Sequence, residues 1–240
     1  MSICFIADLH LSADRPEIAQ RFLHFLQQEA TQHRTLYILG DLFEVWLGDD
    51  LSSQVHANIL YALKRVTETG TAIYVQHGNR DFLLGRQFEE LSGCQLLEDP
   101  YLIDLESEQI LLMHGDQLCS DDLSYQKYRK WVRNRFSLWV LRHLPKSVRR
   151  RVGTTLRQRS EYGKQQKSVE IMDVTQDTVE AVTRQWNSTH LVHGHTHRPG
   201  YETFRLENRL IYRLVLGDWG ASQKENVWVF SEGEFSQRHY

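Results

Sequence analysis

Two kinds of apolar pattern alternate along the chain. Ser2 to Ala7, Leu36 to Leu39, Thr71 to Val75, Gln109 to Met113 and Leu191 to Val192 are short apolar runs with polar flanks. Each predicts a buried strand. Between them, Pro16 opens a helical pattern that places Ile18, Phe22, Phe25 and Leu26 on one face, and Val55 to Thr69 predicts another helix. Strands alternating with helices predict a largely parallel sheet with helices outside it. The last third changes character. Arg209 to Leu216, Val227 to Phe230 and Glu234 to Gln237 read as short strands separated by turns, and predict a second, more antiparallel sheet. The expected fold class is α/β, a two-sheet β-sandwich flanked by helices.

Leu123 to Asn187 reads as helical throughout, with Tyr125, Tyr128, Val132, Phe136 and Trp139 at helical spacing. Pro145 breaks the run and Gly153 weakens the helical pattern beyond it. A helical cap over 121–167 is therefore expected as an insertion within a single domain spanning 1–240. Charge sharpens this expectation. From Lys127 to Lys167 there are 14 Lys and Arg against one acid, Glu161, a net +13 that leaves −16 on the remainder. Half of the 28 basic residues sit in that segment, and so dense a patch calls for an anionic partner. The rest of the composition is that of an ordinary globular protein, at 41% hydrophobic and 25% charged. Cys4, Cys94 and Cys119 are widely spaced and form no CxxC pattern, so they are expected to be reduced and structural. No signal peptide opens the sequence and no apolar run approaches a transmembrane length, so a cytoplasmic protein is expected.

Five short polar blocks follow the strand-like runs: Asp8-Leu9-His10, Gly40-Asp41, Gly78-Asn79-Arg80-Asp81, His114-Gly115-Asp116 and Gly194-His195-Thr196-His197. Ligands of open α/β sheets bind at the carboxyl ends of strands, so these loops should converge on one edge. Asp, Asn and His supply oxygen and nitrogen without thiolate, a set that suits Mn²⁺, Fe or Zn²⁺ better than Mg²⁺. Asp8 and His10 point to one side if strand geometry continues through them, as do His195 and His197. Asp8, His10, Asp41, Asn79, His114, His195 and His197 exceed the needs of one ion and fit two, with Asp41 as the shared carboxylate. A hydroxide between two cations would be a strong nucleophile toward phosphorus.

Taken singly, most blocks have ordinary readings. Asp8 with His10 could be a capping Asp and a chance His, Gly40-Asp41 a turn, and Asn79 a turn residue. His195 with His197 is the stronger pair, and the ordered set of five is far more specific than any member. His24, His33, His56, His77, His143, His190 and His239 have no companion motif and read as surface or packing residues. His193 fits a satisfied buried role better than ligation. Asp81 and Asp116 read either as groups orienting Arg80, Asn79 or His114, or as plain turn carboxylates.

The five blocks resemble the calcineurin-like metallophosphoesterase family. The resemblance implies one ion held by Asp8, His10, Asp41 and His197, and a second by Asp41, Asn79, His114 and His195. Many members carry a His after the Asn of the third block as general acid; here Arg80 takes that place. An Arg does not donate a proton usefully at neutral pH, so the leaving group should need none. A phosphate monoester qualifies, and an Arg can hold it through paired hydrogen bonds. GNRDFLLG at Gly78 to Gly85, the basic cap, FIADLHL, LYILGDLFE, MHGD and HGHTHRP narrow the likeness to members that cleave a lipid-nucleotide pyrophosphate. That likeness implies attack on a UDP-linked diacylglucosamine at the α-phosphorus, Mn²⁺ dependence and peripheral attachment to an inner membrane. It also implies catalytic roles for Asp41, Asn79, Arg80 and His195, and substrate contacts from Asn79, Arg80, Asp122, Ser160, Lys164, Lys167 and His195.

The cap mixes Trp131, Phe136, Trp139, Val140, Leu141 and Leu144 with its Arg and Lys. A basic amphipathic helix reads as a membrane-surface element or a lid over an anionic lipid. Each aromatic could serve the cap's own core or contact lipid. Nucleic acid is the rival partner, disfavoured because the rest of the chain is acidic and the aromatics lie at helical spacing. Two rival functions remain: another phosphoesterase on the same fold, and a non-catalytic membrane or nucleic-acid binding module. A monomer is expected.

Overall fold

The structure is a computed structural model that describes residues 2–105, 108–153, 173–220 and 227–238. Among the described residues, eleven strands form two sheets. The first contains β1 (Ile3–Ile6), β2 (Thr35–Leu39), β3 (Ala72–Gln76), β4 (Gln95–Leu97), β10 (Val227–Ser231) and β11 (Glu234–Arg238), in the order β11-β10-β1-β2-β3-β4. The second contains β5 (Tyr101–Leu105), β6 (Glu108–Met113), β7 (His190–His193), β8 (Gly200–Leu206) and β9 (Arg209–Val215), in the order β5-β6-β7-β9-β8. Strands β1 to β4 run parallel, as do β6, β7 and β9. The outer strands β10, β11, β5 and β8 are antiparallel additions.

The expectation that the C-terminal strands together form the second sheet is corrected. The C-terminal strands divide between the two sheets: β8 and β9 extend one, while β10 and β11 return to flank β1. Strand propensity marks where a strand lies but not which partner it finds.

Alternation along each strand explains the layering. Phe5, Tyr37 and Leu39 face Ile110, Leu112, Val192 and Leu214 between the sheets. Their neighbours Cys4, Ile6, Leu36 and Ile38 point the other way, against helices α1 (Pro16–Gln28), α3 (Ala57–Glu68) and α4 (Arg86–Ser92). On the far side, Leu111, Met113 and Leu191 cover Val179 of helix α7 (Gln176–Trp186). Both faces of each central strand are buried, which is why those runs carry no polar alternation. Pro16 sits at the start of α1, where its missing N–H costs nothing. The expected helix over 55–69 is α3, preceded by α2 (Asp49–Val55) with His56 at the joint.

The predicted cap enters through α5 (Leu123–Val132) and α6 (Arg135–His143), followed by a helical stretch over 146–153. Among the described residues the segment is not helical throughout, because the chain turns at 133–134 and is irregular at 173–175. Val132 is buried, and Leu138 and Leu141 pack on the main core. Trp131, Phe136 and Trp139 are 59%, 72% and 58% exposed, so these three aromatics do not serve the cap's own core. Arg149 is buried; its guanidinium bonds to Leu47 O and meets the Asp50 carboxylate, pinning the cap to the body. No helix of the described residues is long and apolar enough to cross a membrane.

Candidate metal centre

The parallel strands of both sheets deliver their carboxyl ends to one edge. Asp8 N donates to Gly40 O at 3.2 Å and His10 N to Asp41 O at 2.9 Å, which ties the first two loops together. Gly194 N donates to His114 O at 2.9 Å, which ties the fourth to the fifth. The sheets are joined by His195 N to Asp8 Oδ2 at 2.7 Å and by His114 Nδ1 to Leu39 O at 2.9 Å.

The local backbone differs from the expectation of continued strand geometry. Asp8, His10, Asp41, His195 and His197 all have positive φ, between 50° and 70°. Non-glycine residues avoid this left-handed region unless the surroundings impose it, and such residues gather at functional sites. Five of the seven expected ligands are held there, so the loop conformation, rather than strand alternation, aims their side chains. The close approach also needs small residues. A Cβ on Gly78 would lie 2.0 Å from Asp41 Oδ1, and one on Gly40, whose φ is +85°, would lie 2.5 Å from His114 Nδ1.

Two clusters result. In one, His197 Nε2 lies 3.5 Å from Asp8 Oδ1 and 3.3 Å from His10 Nε2. In the other, His114 Nε2 lies 3.2 Å from Asn79 Oδ1. Asp41 spans them, its Oδ2 at 3.8 Å from His10 Nε2 and its Oδ1 at 3.9 Å from His114 Nε2. His195 stands beside the second cluster, its ring edge-on to His114 with centroids 5.0 Å apart.

The donor set fits divalent cations. His10 Nδ1 faces Glu44 Oε2 at 3.1 Å, and His114 Nδ1 faces Leu39 O. With a ring proton on each of those nitrogens, the Nε2 atoms, turned toward His197 Nε2 and Asn79 Oδ1, are the ones left to ligate. A cation among these atoms would take the place of the proton that they otherwise share. Asp8 Oδ1 is buried without a hydrogen-bond donor, and a cation there would satisfy it. The surplus of negative charge shows in the titrations. Burial opposes a charge on His114, yet Asp41, Asp116 and Asp8 push its pKa up to about 9. Burial and the neighbouring Asp41 push Asp81 up to about 7. Burial and His114 pull His195 down to about 4, keeping it neutral.

A family model described as calcineurin-like phosphoesterase matches residues 1–199. The chain belongs to the calcineurin-like phosphoesterase family. It is a hydrolase of a family that works with divalent metal ions. Relatives named UDP-2,3-diacylglucosamine hydrolase, from Pseudomonas paraeruginosa and Pseudomonas putida, are each 48% identical, covering 91% and 90% of both chains. The solved structure of Yfce, a phosphoesterase from E. coli, shares the fold with a TM-score of 0.50 at 17% identity, covering 99% of this chain and 92% of that one.

Within this phosphoesterase site, two expected orienting groups act differently. Asp81 accepts from Gly78 N at 2.7 Å and Phe43 N at 3.3 Å, so it shapes loop backbone rather than the Arg80, Asn79 or His114 side chains. Asp116 turns to the cap: its carboxylate accepts from Tyr125 Oη at 2.7 Å and pairs with Arg129 Nε at 2.9 Å and Arg133 Nη2 at 3.5 Å. Asp99, buried beside them, pairs with the same two arginines and accepts from His114 N. The Tyr125 ring stacks on His195 with centroids 6.0 Å apart. His193 is buried; its Nδ1 donates to Gly194 O and its Nε2 accepts from Arg213 Nε, the satisfied role expected of it. Asp122 caps α5 through Tyr125 N. Ser160, Lys164 and Lys167 lie outside the described residues.

Sequence reasoning passed over Glu44, Asp99, Arg129 and Arg133. Glu44 carried one local signal, a carboxylate inside the apolar run Leu42 to Trp46. The others carried none, because their partners lie in distant segments.

Proposed function

We propose that this chain hydrolyses UDP-2,3-diacylglucosamine at the α-phosphorus, giving UMP and 2,3-diacylglucosamine 1-phosphate, a step of lipid A biosynthesis. The observation that carries the reaction type is Asp41, whose two oxygens face two separate histidine clusters. The substrate is supported by relatives of that name matching along nine-tenths of both chains. Asp8, His10, Asp41 and His197 would hold one divalent ion, and Asp41, Asn79, His114 and His195 the other, with Mn²⁺ suited to this mixed set. Such ions supply Lewis acidity, lowering the pKa of a water and neutralising charge on phosphorus.

The chain's own groups do the rest. His195, kept neutral, and Asn79 border the α-phosphate. Arg80, its side chain only 10% exposed, presents a fork of donors to the departing phosphate monoester. As water oxygen bonds to the α-phosphorus, the bridging P–O bond breaks and its electron pair leaves on a monoester that needs no proton. Asp122, Ser160, Lys164 and Lys167 are further proposed substrate contacts. The exposed Trp131, Phe136 and Trp139 among basic residues suit attachment to the cytoplasmic face of an anionic membrane, where each Lys or Arg contributes about 1 kcal/mol.

The test is hydrolysis of UDP-2,3-diacylglucosamine in mixed micelles with Mn²⁺ and ¹⁸O-water. Labelled UMP, absent with Asp41→Ala, is expected. No turnover, with activity on a generic phosphodiester instead, would reject the substrate and keep the metal chemistry.

A further inference from the structure

Glu44 lies three residues beyond Asp41 and is buried. Its backbone N–H donates to Leu11 O at 3.1 Å, so its position is fixed from the main chain. Three nitrogen groups ring its carboxylate. Oε2 lies 3.1 Å from His10 Nδ1 and 3.4 Å from Arg15 Nη2, and Oε1 lies 3.4 Å from Arg80 Nη1. One carboxylate therefore touches a residue proposed to hold an ion and the residue proposed to hold the leaving group.

Each contact meets a physical need. The Arg80 guanidinium is largely buried beside a site suited to two dications. Without a facing anion it would be driven toward solvent, because an unpaired buried charge is costly. For His10, the carboxylate lies 3.1 Å from Nδ1, outside hydrogen-bond geometry but close enough to draw the ring proton to that nitrogen by charge, which leaves Nε2 as the lone-pair atom facing Asp8, Asp41 and His197. Arg15, more exposed, also donates to His10 O at 3.4 Å and closes the outer side.

We infer that Glu44 is a positioning residue for both halves of the site, fixing the His10 tautomer that faces the metal and aiming Arg80 at the leaving phosphate. The Arg80 half rests on the proposed reaction; the His10 half rests on geometry alone.

The test compares wild type with Glu44→Gln, which keeps the shape and removes the charge. Titration of Mn²⁺ alone, followed by calorimetry, should show about 10- to 100-fold weaker binding, the usual effect of removing a carboxylate behind a ligating histidine. At saturating Mn²⁺, kcat should fall by roughly 10-fold or more with KM changed much less, the signature of an interaction needed in the transition state. In a cycle with Arg80→Met, the double variant should be scarcely worse than Arg80→Met alone, because Glu44 then has nothing to aim. If Glu44→Gln melts well below wild type, Glu44→Asp, which keeps the charge one methylene farther away, takes its place with the same readouts. Unchanged Mn²⁺ affinity, or losses that multiply independently in the cycle, would overturn the inference. If wild type is inactive on UDP-2,3-diacylglucosamine, the substrate reading fails separately. The Arg80 half falls with it, and the Mn²⁺ titration of Glu44→Gln still decides the His10 half.

Discussion

Arg80 occupies the place where many calcineurin-like phosphoesterases carry a histidine, and its environment suits a permanent cation. Glu44 faces it, and its own N–H donates to Asp41 Oδ1 at 2.8 Å, so backbone and side chain are both anchored. Lysine keeps the charge but not the planar fork. Arg80→Lys should therefore lower kcat by on the order of 10²-fold, as loss of a preorganised transition-state donor does, with Mn²⁺ affinity unchanged; steady-state kinetics and metal titration check both. Gly78 makes a different point, because its importance is a matter of space. A methyl group 2.0 Å from Asp41 Oδ1 must displace that carboxylate. Gly78→Ala should cost about 1–3 kcal/mol in urea unfolding, the usual cost of overpacking, and should weaken Mn²⁺ binding.

Helix α5 is bolted to the site rather than laid over it. Arg129 and Arg133 meet the buried Asp99 and Asp116, and Arg133 also donates to His77 O at 3.1 Å, just before the third loop. Removing one cation leaves buried carboxylates undercompensated, so Arg133→Met should destabilise the fold by on the order of 3 kcal/mol, read as a drop in urea midpoint. Helix α6 differs: it buries Ser137, rests Leu138 and Leu141 on the core, and turns Phe136 and Trp139 outward. Replacing both exposed aromatics, Phe136→Ser with Trp139→Ser, should leave stability within about 0.5 kcal/mol. Binding to vesicles containing anionic lipid should weaken at least several-fold in a sedimentation assay. Unchanged vesicle binding would remove these aromatics from the membrane reading.

At the scale of the whole molecule, buried histidines tie stability to pH. His56 packs against Phe43 and Trp46, with ring centroids 4.5 Å and 5.9 Å away, and burial lowers its pKa to about 4. The folded state thus binds fewer protons than the unfolded chain between about pH 4 and 6.5. The stability this contributes is complete above pH 6.5 and is lost as pH falls toward 4. Urea midpoints measured down that range should decline, and the decline should be shallower for His56→Phe, which keeps the ring stack and has nothing to protonate. The charge division is a second property of this scale: half of the Lys and Arg lie between 127 and 167, a density that suits the proposed anionic surface.

Much of this was written locally in the chain. Two-sided burial of the central strands shows in SICFIA, LYIL and QILLM, and a polar block beyond each run marks the edge where chemistry gathers. The concentration of Lys and Arg between 127 and 167 was visible from charge alone. The structure brings together Asp8, His10, Asp41, Asn79, His114 and His197, and sets His195 beside them, because all come after parallel strands whose ends share one edge. The features that the sequence did not reveal depend on segments far apart in it. The left-handed backbone of five of these residues is imposed by neighbouring loops. Asp116 finds the arginines of α5 instead of the loop side chains, Glu44 gains its partners only when three loops meet, and β10 pairs with β1 although nearly the whole chain separates them. Local period and residue type record how a segment buries itself; which distant group stands opposite a buried charge or an open strand edge is settled only when the sheets close on one another.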